Sequence, residues 1–240
     1  MATSLLTSRR GTLQDKPSSA FTPSSVANLH AWWDGTSITG VSDGATTGSW
    51  ADSGPNGYTA GSSGTPVYRA TGVSGKPGLE FTAADLGTNA SGSLTAFTIF
   101  AAIHPINPSG NQSIYCAATG TNGIQVRLSG TNPAIVRPAV AVIGTSSGTV
   151  SAGTPVILAF TFTANTSWAI HINGTAAGSG STTQTPTAGL TGWLGNTTSG
   201  GNQRFNGRIG DLIIYSAALN STDRGSVTSY LGTKYGITVT

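Results

Sequence analysis

The sequence predicts an all-β fold, in which short antiparallel strands form a sandwich or a barrel. Hydrophobic and polar residues alternate with a period of two over several runs, as half-buried strands require. Clusters of Gly, Asn, Pro and Ser bound these runs and supply turns. The 240 residues are 37% hydrophobic and include 34 Gly and 11 Pro, a combined share below the roughly 25–30% typical of low-complexity chains. We therefore expect a packed core and not a disordered chain.

The first segment, residues 1–20, is polar and basic without any period, which is typical of an extended arm outside the core. Arg9, Arg10 and Lys16 carry most of the formal net charge of +3. We expect this arm to anchor the protein to a partner through these three cations. The rest of the chain, residues 21–240, is predicted to form one domain.

Three runs in the middle of the chain have strand-like alternation: residues 97–104, 124–129 and 135–143. Pro138 lies inside the third run and would remove one hydrogen-bond donor from a sheet ladder. We therefore expect the third strand to lie at a sheet edge or to contain a bulge.

The clearest pair of strands comes next. Residues 155–163 alternate strictly, and residues 168–172 follow after the turn-forming sequence Ala-Asn-Thr. Such spacing predicts a β-hairpin. Asn173-Gly174 then ends the second strand with a dipeptide that readily adopts positive φ.

One segment has helical spacing. Between residues 220 and 235 the apolar side chains recur at i, i+3 and i+4, which favours a helix. Asn220 or Ser221 would cap its N-terminus and Gly236 would end it. We expect a short C-terminal helix that closes the sandwich.

Eight short motifs, taken together in their order along the chain, indicate a particular fold. They are LHAWWD (29–34), WADSGPNGY (50–58), KPGLEF (76–81), FTIF (97–100), HING (171–174), WLGN (193–196), FNGRIGDLIIY (205–215) and YLGTKYG (230–236). Together they resemble the concanavalin A-like jelly-roll superfamily, in the laminin G-like form found in bacteriophage virion and bacterial surface proteins. The resemblance implies a two-sheet antiparallel jelly-roll sandwich, with sheets about 10 Å apart. It implies little about activity, because lectins, hydrolases, adhesins and scaffolds share this fold.

Composition argues against several classes of partner. Charged residues make up 8% of the chain, against about 25% in an average protein, and the arginines are scattered. No basic face for a nucleic acid is expected, and no apolar run is long enough to cross a membrane. The leading residues contain only one leucine pair where a secretory signal needs an apolar run of about 7–15 residues. Cys116 is the only cysteine and is expected to be buried and inert.

Catalysis is not expected. Hydrolases of this fold place two carboxylates on one strand, because retaining glycoside hydrolysis needs an acid and a nucleophile about 5–5.5 Å apart. Glu80 is the only glutamate, and Asp34, Asp43 and Asp52 stand next to Gly or Ser, where Asp typically stabilises turns. The chain also lacks a Gly-x-Ser-x-Gly motif. A glycan-active hydrolase is kept as an alternative.

Sugar binding requires an exposed aromatic face and a few polar groups. Three aromatic residues lie in or beside polar sequence, and three polar residues should project from strand faces opposite the core. The candidate glycan-binding residues are Trp33, Trp50, Tyr58, Gln125, Arg127 and His171. Trp32, Trp168 and Trp193 are expected in the core. For each candidate, packing at the rim of the core is the alternative interpretation.

No metal site or other cofactor is expected. The resemblance makes calcium the one plausible ion, but the acids are not clustered in the sequence. Asp211 is a lone acid inside an apolar strand, and we expect its carboxylate to be hydrogen-bonded to neighbouring backbone.

These observations lead to one principal hypothesis: a non-enzymatic bacteriophage virion protein, of the capsid decoration or head-fibre type, made in the host cytoplasm. Its expected partners are capsid or other virion proteins bound through the arm, further copies of itself in a homo-oligomer, and host-surface glycans. The alternatives are a tail-associated receptor-binding adhesin, a glycan-active hydrolase and an exported bacterial adhesin.

Overall fold

The structure, a computed structural model, describes residues 20–240 except 62–63, 83, 93–94, 118–121, 187–188, 190 and 199–200. The predicted anchoring residues Arg9, Arg10 and Lys16 lie outside the described residues. Within them the chain forms sixteen strands and one α-helix. All ladders between these strands are antiparallel. The all-β prediction is confirmed.

The strands form two eight-stranded sheets. Sheet A contains β1 (Leu29–Asp34), β4 (Val67–Val73), β5 (Lys76–Glu80), β7 (Ala96–Pro105), β12 (Val156–Thr163), β13 (Ser167–Ile172), β14 (Thr175–Ser181) and β16 (Gly207–Tyr215). Its order is β14-β13-β12-β7-β16-β5-β4, and β1 pairs with β16 beyond the part that pairs with β5.

Sheet B contains the remaining strands: β2 (Ser49–Ala51), β3 (Thr59–Gly61), β6 (Leu86–Thr88), β8 (Asn111–Ala117), β9 (Ile124–Ser129), β10 (Asn132–Arg137), β11 (Ala141–Thr145) and β15 (Gly192–Leu194). Its order is β11-β10-β9-β8-β15-β6-β3-β2. The two sheets form the sandwich that the resemblance implies.

The main hydrophobic core lies between the sheets. Leu158, Phe160 and Phe162 of β12 and Ile124 and Val126 of β9 are all fully buried in it. Alternate residues of β12 point to the opposite face of sheet A, where they join a second cluster. This is the two-faced pattern that the sequence predicts for residues 155–163.

The predicted hairpin is also confirmed, with β12 and β13 in register from Leu158↔Ile172 to Thr163↔Ser167. Asn173 and Gly174 have φ of 50° and 86°, the left-handed values that a tight turn between β13 and β14 requires.

The prediction of one strand over residues 135–143 is wrong. The chain forms two strands, β10 and β11, which pair with each other through a turn at Pro138. Val140 N donates to Arg137 O at 3.1 Å. Proline lacks an N–H and fixes φ, so it stops the ladder here and starts a hairpin. The expected sheet edge is occupied by β11.

The predicted helix, α1 (Ser221–Tyr235), is confirmed with its caps. The Asn220 side chain accepts a hydrogen bond from Asp223 N at 2.9 Å, and Gly236 ends the helix with φ of 62°. Val227 and Leu231 pack on the outer face of sheet A in the second hydrophobic cluster. Sheet A is therefore covered on both faces.

Candidate functional site

The two tryptophans proposed for sugar binding are core residues. Trp33 is 0% exposed and Trp50 is 1% exposed, and Trp50 Nε1 donates to Asp34 O at 3.0 Å. The expectation that they present an exposed aromatic face for sugar binding is therefore wrong. The polar sequence around Trp50 belongs to β2, where Ser49 and Ala51 face outward and the tryptophan faces inward.

Tyr58 is partly buried against the main core. Its hydroxyl donates to Ser91 O at 3.2 Å, and its ring lies 5.3 Å from the ring of His30. These contacts hold the side chain against the protein, as the rim-packing interpretation predicts.

The three polar candidates do point away from the main core, but they lie on opposite sides of the molecule. Gln125 and Arg127 are on the outer face of sheet B, while His171 is on the outer face of sheet A, paired with Ala159 of the second cluster. Their exposed fractions are 1%, 9% and 8%. The six sequence-predicted residues therefore do not form one site.

A groove of about 790 Å³ lies on the outer face of sheet B, across β2, β3, β6 and β15. Its lining is uncharged and consists of one tryptophan with small or polar residues: Gly48, Ser49, Thr59, Gly61, Gly87, Thr88, Asn89, Thr191, Gly192 and Trp193. Ser49, Gly61, Gly87 and Trp193 are successive cross-strand neighbours. The floor of the groove is therefore a single row of the sheet.

The indole of Trp193 lies over Gly87. A Cβ atom at Gly87 would be 3.1 Å from Trp193 Cζ3 and 3.4 Å from Cη2. Trp193 is only partly buried, whereas its strand neighbours Gly192 and Leu194 are buried. Because glycine leaves room above the sheet, the ring of Trp193 lies over the groove floor.

Polar groups at the groove rim are held by short hydrogen bonds. Asn89 Oδ1 accepts from Thr59 N at 2.7 Å, and Thr191 Oγ1 donates to Ala90 O at 2.8 Å. These bonds fix the orientation of two side chains beside the indole. The groove thus combines an aromatic surface with ordered amide and hydroxyl groups.

Sequence reasoning missed this groove, because it assigned Trp193 to the core on the basis of its apolar neighbours. A signal was present in the short strands β3 and β6. Each contains a glycine, Gly61 or Gly87, and a glycine within a strand marks a close approach of another group.

Two carboxylates converge elsewhere, beneath α1. Asp34 and Asp211 are directly opposite each other on β1 and β16. Lys234 Nζ lies 2.6 Å from Asp34 Oδ1 and 2.8 Å from Asp211 Oδ2, and Trp32 Nε1 donates to Asp211 Oδ1 at 3.1 Å. The expected backbone partners of Asp211 are therefore replaced by side chains, since the helix brings a lysine to this face of the sheet.

Burial raises the pKa of Asp211 to about 7, although the ammonium of Lys234 opposes that shift. The Asp211 side chain is 0% exposed, so no substrate reaches it. Lys234, Asp34 and Asp211 therefore form a buried link between α1 and sheet A. It does not provide the accessible acid pair that glycoside hydrolysis requires.

Other acids have structural partners, as the turn interpretation predicts. Asp52 Oδ1 accepts from Trp32 N at 2.7 Å and from Gly54 N at 2.6 Å. Asp43 Oδ1 accepts from Ala70 N at 2.8 Å. Cys116 is 1% exposed, and burial raises the pKa of its thiol to about 12, which keeps it protonated.

No group of three or more His, Cys, Asp or Glu side chains with metal-binding geometry occurs among the described residues. In the same part of the chain, no helix has the length and apolar character needed to cross a membrane.

Solved structures with a similar fold include a sialidase, a botulinum neurotoxin domain and an arabinanase domain. Trypanosoma rangeli sialidase, in complex with sialic acid, has a TM-score of 0.60 and 14% identity over 87% of this chain and 33% of its own. The botulinum neurotoxin type G receptor-binding domain has a TM-score of 0.61 and 13% identity, over 85% and 52%. This chain thus spans about a third of the first and half of the second.

Domain 4 of AbnA, a GH43 extracellular arabinanase from Geobacillus stearothermophilus solved with arabinotriose, has a TM-score of 0.58 and 18% identity. That match covers 84% of this chain and 97% of the domain. At these identities the similarity shows the fold alone.

No curated protein matches the chain by sequence. The sequence pattern of the concanavalin A-like lectin/glucanases superfamily, in its laminin G form, matches residues 74–223. That segment includes most strands of both sheets and the beginning of α1. The chain therefore belongs to the concanavalin A-like lectin/glucanase superfamily.

Proposed function

We propose that this protein is a non-catalytic carbohydrate-binding module, and that its ligand lies in the groove on the outer face of sheet B. The observation that carries the proposal is the partly exposed indole of Trp193, lying over Gly87 in an uncharged groove. Pyranose and furanose rings have an apolar face that stacks on such a ring. The ordered side chains of Asn89 and Thr191 provide the polar contacts that orient a ligand.

The similar solved structures support a sugar as the class of ligand. The arabinanase domain was solved with arabinotriose and the sialidase with sialic acid, so sugars bind to proteins that contain this fold. The open groove suits a segment of a glycan chain better than a small enclosed ligand.

The test is binding of the full chain to a panel of polysaccharides by affinity electrophoresis and calorimetry. Replacing Trp193 by Ala should weaken binding about tenfold, because loss of a stacking contact of about 1.4 kcal/mol changes affinity by that factor. W193F retains a ring and should remain within about threefold of wild type by the same reasoning. V142A changes an exposed side chain on β11, outside the groove, and is the matched control. Unchanged affinity in W193A would refute the groove assignment.

The absence of catalysis belongs to the same proposal. Glu80 is held by Arg69 and Arg208, each 2.9 Å away, and Asp52 is occupied by backbone N–H groups. The glycan panel should therefore be recovered intact after prolonged incubation with the protein. Turnover that is abolished by D52N or E80Q would contradict the assignment.

We also propose a setting for this module: display on a bacteriophage particle as a capsid decoration or head-fibre protein, in homo-oligomeric form. The charge-poor, glycine-rich composition and the basic leading segment with Arg9, Arg10 and Lys16 support it. Deletion of residues 1–20 should abolish attachment to capsids and leave the domain folded. Antibody labelling at the tail tip in place of the shell would favour the tail-associated adhesin.

A further inference from the structure

Arg127 is a buried cation that has no counter-ion among the described residues. It is 9% exposed and lies on β9, on the outer face of sheet B. None of the ion pairs in the described part of the chain includes it, and its Nε atom is buried without a hydrogen-bond partner there. Burying an uncompensated charge opposes folding. A structural role for this side chain would normally bring an acid to it.

The acids of this protein are engaged elsewhere. Seven of the eight acidic residues lie in the described part of the chain. Each has another contact: Asp34 and Asp211 with Lys234, Glu80 with two arginines, Asp43 and Asp52 with backbone, Asp85 with Asn196, and Asp223 with Asn220. The strands of sheet B contain no acidic residue. The positive charge is therefore not neutralised within this sheet.

A second buried polar group lies beside Arg127. Ser113 is its direct cross-strand neighbour on β8. Its hydroxyl is buried and has no partner among the described residues, and the residue is 0% exposed. The hydroxyl brings no negative charge to the guanidinium, whose N–H groups match the acceptor oxygens of a carboxylate or sulfate group.

This pair is on the same sheet face as the groove. The row that begins at Ser49 continues from Trp193 to Cys116 and Gln125, and Arg127 lies two residues further along β9. With strands about 4.8 Å apart and a rise of about 3.3 Å per residue, the Cα atoms of Trp193 and Arg127 are about 12 Å apart. An oligosaccharide is therefore long enough to span the two positions.

We propose that Arg127 binds a carboxylate or sulfate group of an acidic glycan, one ring of which stacks on Trp193. This inference rests on the proposed function and specifies its ligand class. Arg127 then determines specificity for acidic over neutral glycans, and the negative group of the ligand supplies the counter-ion that the protein lacks. Charge-assisted hydrogen bonds of this kind are stronger than neutral ones and are directional.

The test compares matched acidic and neutral oligosaccharides by calorimetry: sialyllactose with lactose, and oligogalacturonate with its carboxyl-reduced form. Wild type should bind at least one acidic member about tenfold more tightly than its neutral counterpart, as expected for a hydrogen bond to a charged group. R127Q should reduce that ratio to about one. W193A should weaken both members alike, so failure of the groove and failure of the anion site give different results.

A second measurement uses inorganic sulfate alone, followed by the side-chain N–H resonance of Arg127 in NMR spectra. A saturable shift of this resonance is expected, and the resonance of Arg69, which is paired with Glu80, should stay constant.

R127Q should also keep or raise the melting temperature, because it removes a buried charge that has no partner. Equal affinity for acidic and neutral glycans, or an unchanged ratio in R127Q, would overturn the proposal even if sulfate shifted the signal.

Discussion

Replacing Lys234 by Met tests the buried link between α1 and sheet A. The lysine side chain is 11% exposed and contacts two carboxylates that are 11% and 0% exposed. Its ammonium also lies 5.6–5.9 Å from the ring centroids of Trp32, Tyr230 and Tyr235. Methionine fills a similar volume but leaves the two acids facing each other without a cation.

Removing one partner of a buried ion pair costs about 3–5 kcal/mol. For a domain of this size 1 kcal/mol corresponds to about 2–4 °C, so the melting temperature of K234M should fall by about 6–20 °C at pH 8. The loss should be smaller at pH 5, because burial already raises the pKa of Asp211 to about 7 and a protonated Asp211 needs no cation.

Urea unfolding at both pH values, followed by circular dichroism, measures the change. K76M replaces an exposed lysine on β5 and should stay within about 0.5 kcal/mol of wild type. A loss below about 1 kcal/mol at pH 8, or the same loss at both pH values, would show that the link does not stabilise the fold as argued.

Three further changes give independent tests. G87V places side-chain atoms where the Trp193 ring lies, 3.1 Å from a Cβ at this position. Tryptophan emission should shift and glycan affinity should fall as in W193A, whereas unchanged affinity would contradict the groove geometry. The pKa of Asp211 is about 7 in the folded protein and exceeds the ordinary 3.8, so its contribution to stability is present below about pH 4 and is lost as pH rises towards 7. D211N should remove this pH dependence of the free energy of unfolding, measured by urea unfolding at a series of pH values. N220A removes the acceptor of the Asp223 N–H and should cost about 1 kcal/mol, and a melting temperature equal to that of wild type would argue against the cap.

Local features were predictable wherever one segment determines its own structure. The β12–β13 hairpin and the Asn173-Gly174 turn follow from alternation and turn chemistry within about twenty residues, and α1 follows from its spacing and caps. The split at Pro138 was missed, because a proline within an apolar run is compatible both with a bulged edge strand and with a turn between two strands.

The candidate site was much less predictable. Alternation tells which residues share a face of a strand, but it does not tell what covers that face. Trp33 and Trp193 both stand in short strands, yet the first faces the opposite sheet and the second lies over a glycine on an open face. His171 and Arg127 both point away from the main core, but from different sheets.

The sequence by itself determined the all-β class, the main hairpin, the C-terminal helix with its caps and the absence of an acid pair within one strand, because these depend on residue type and short-range spacing. Only the tertiary structure decided which tryptophan lines a groove, which acids share Lys234 and which buried arginine has no counter-ion among the described residues. Those properties depend on pairing between strands that are far apart in sequence. The burial and the contacts of a residue in such a sheet are set by side chains on other strands, and these cannot be identified from the local sequence.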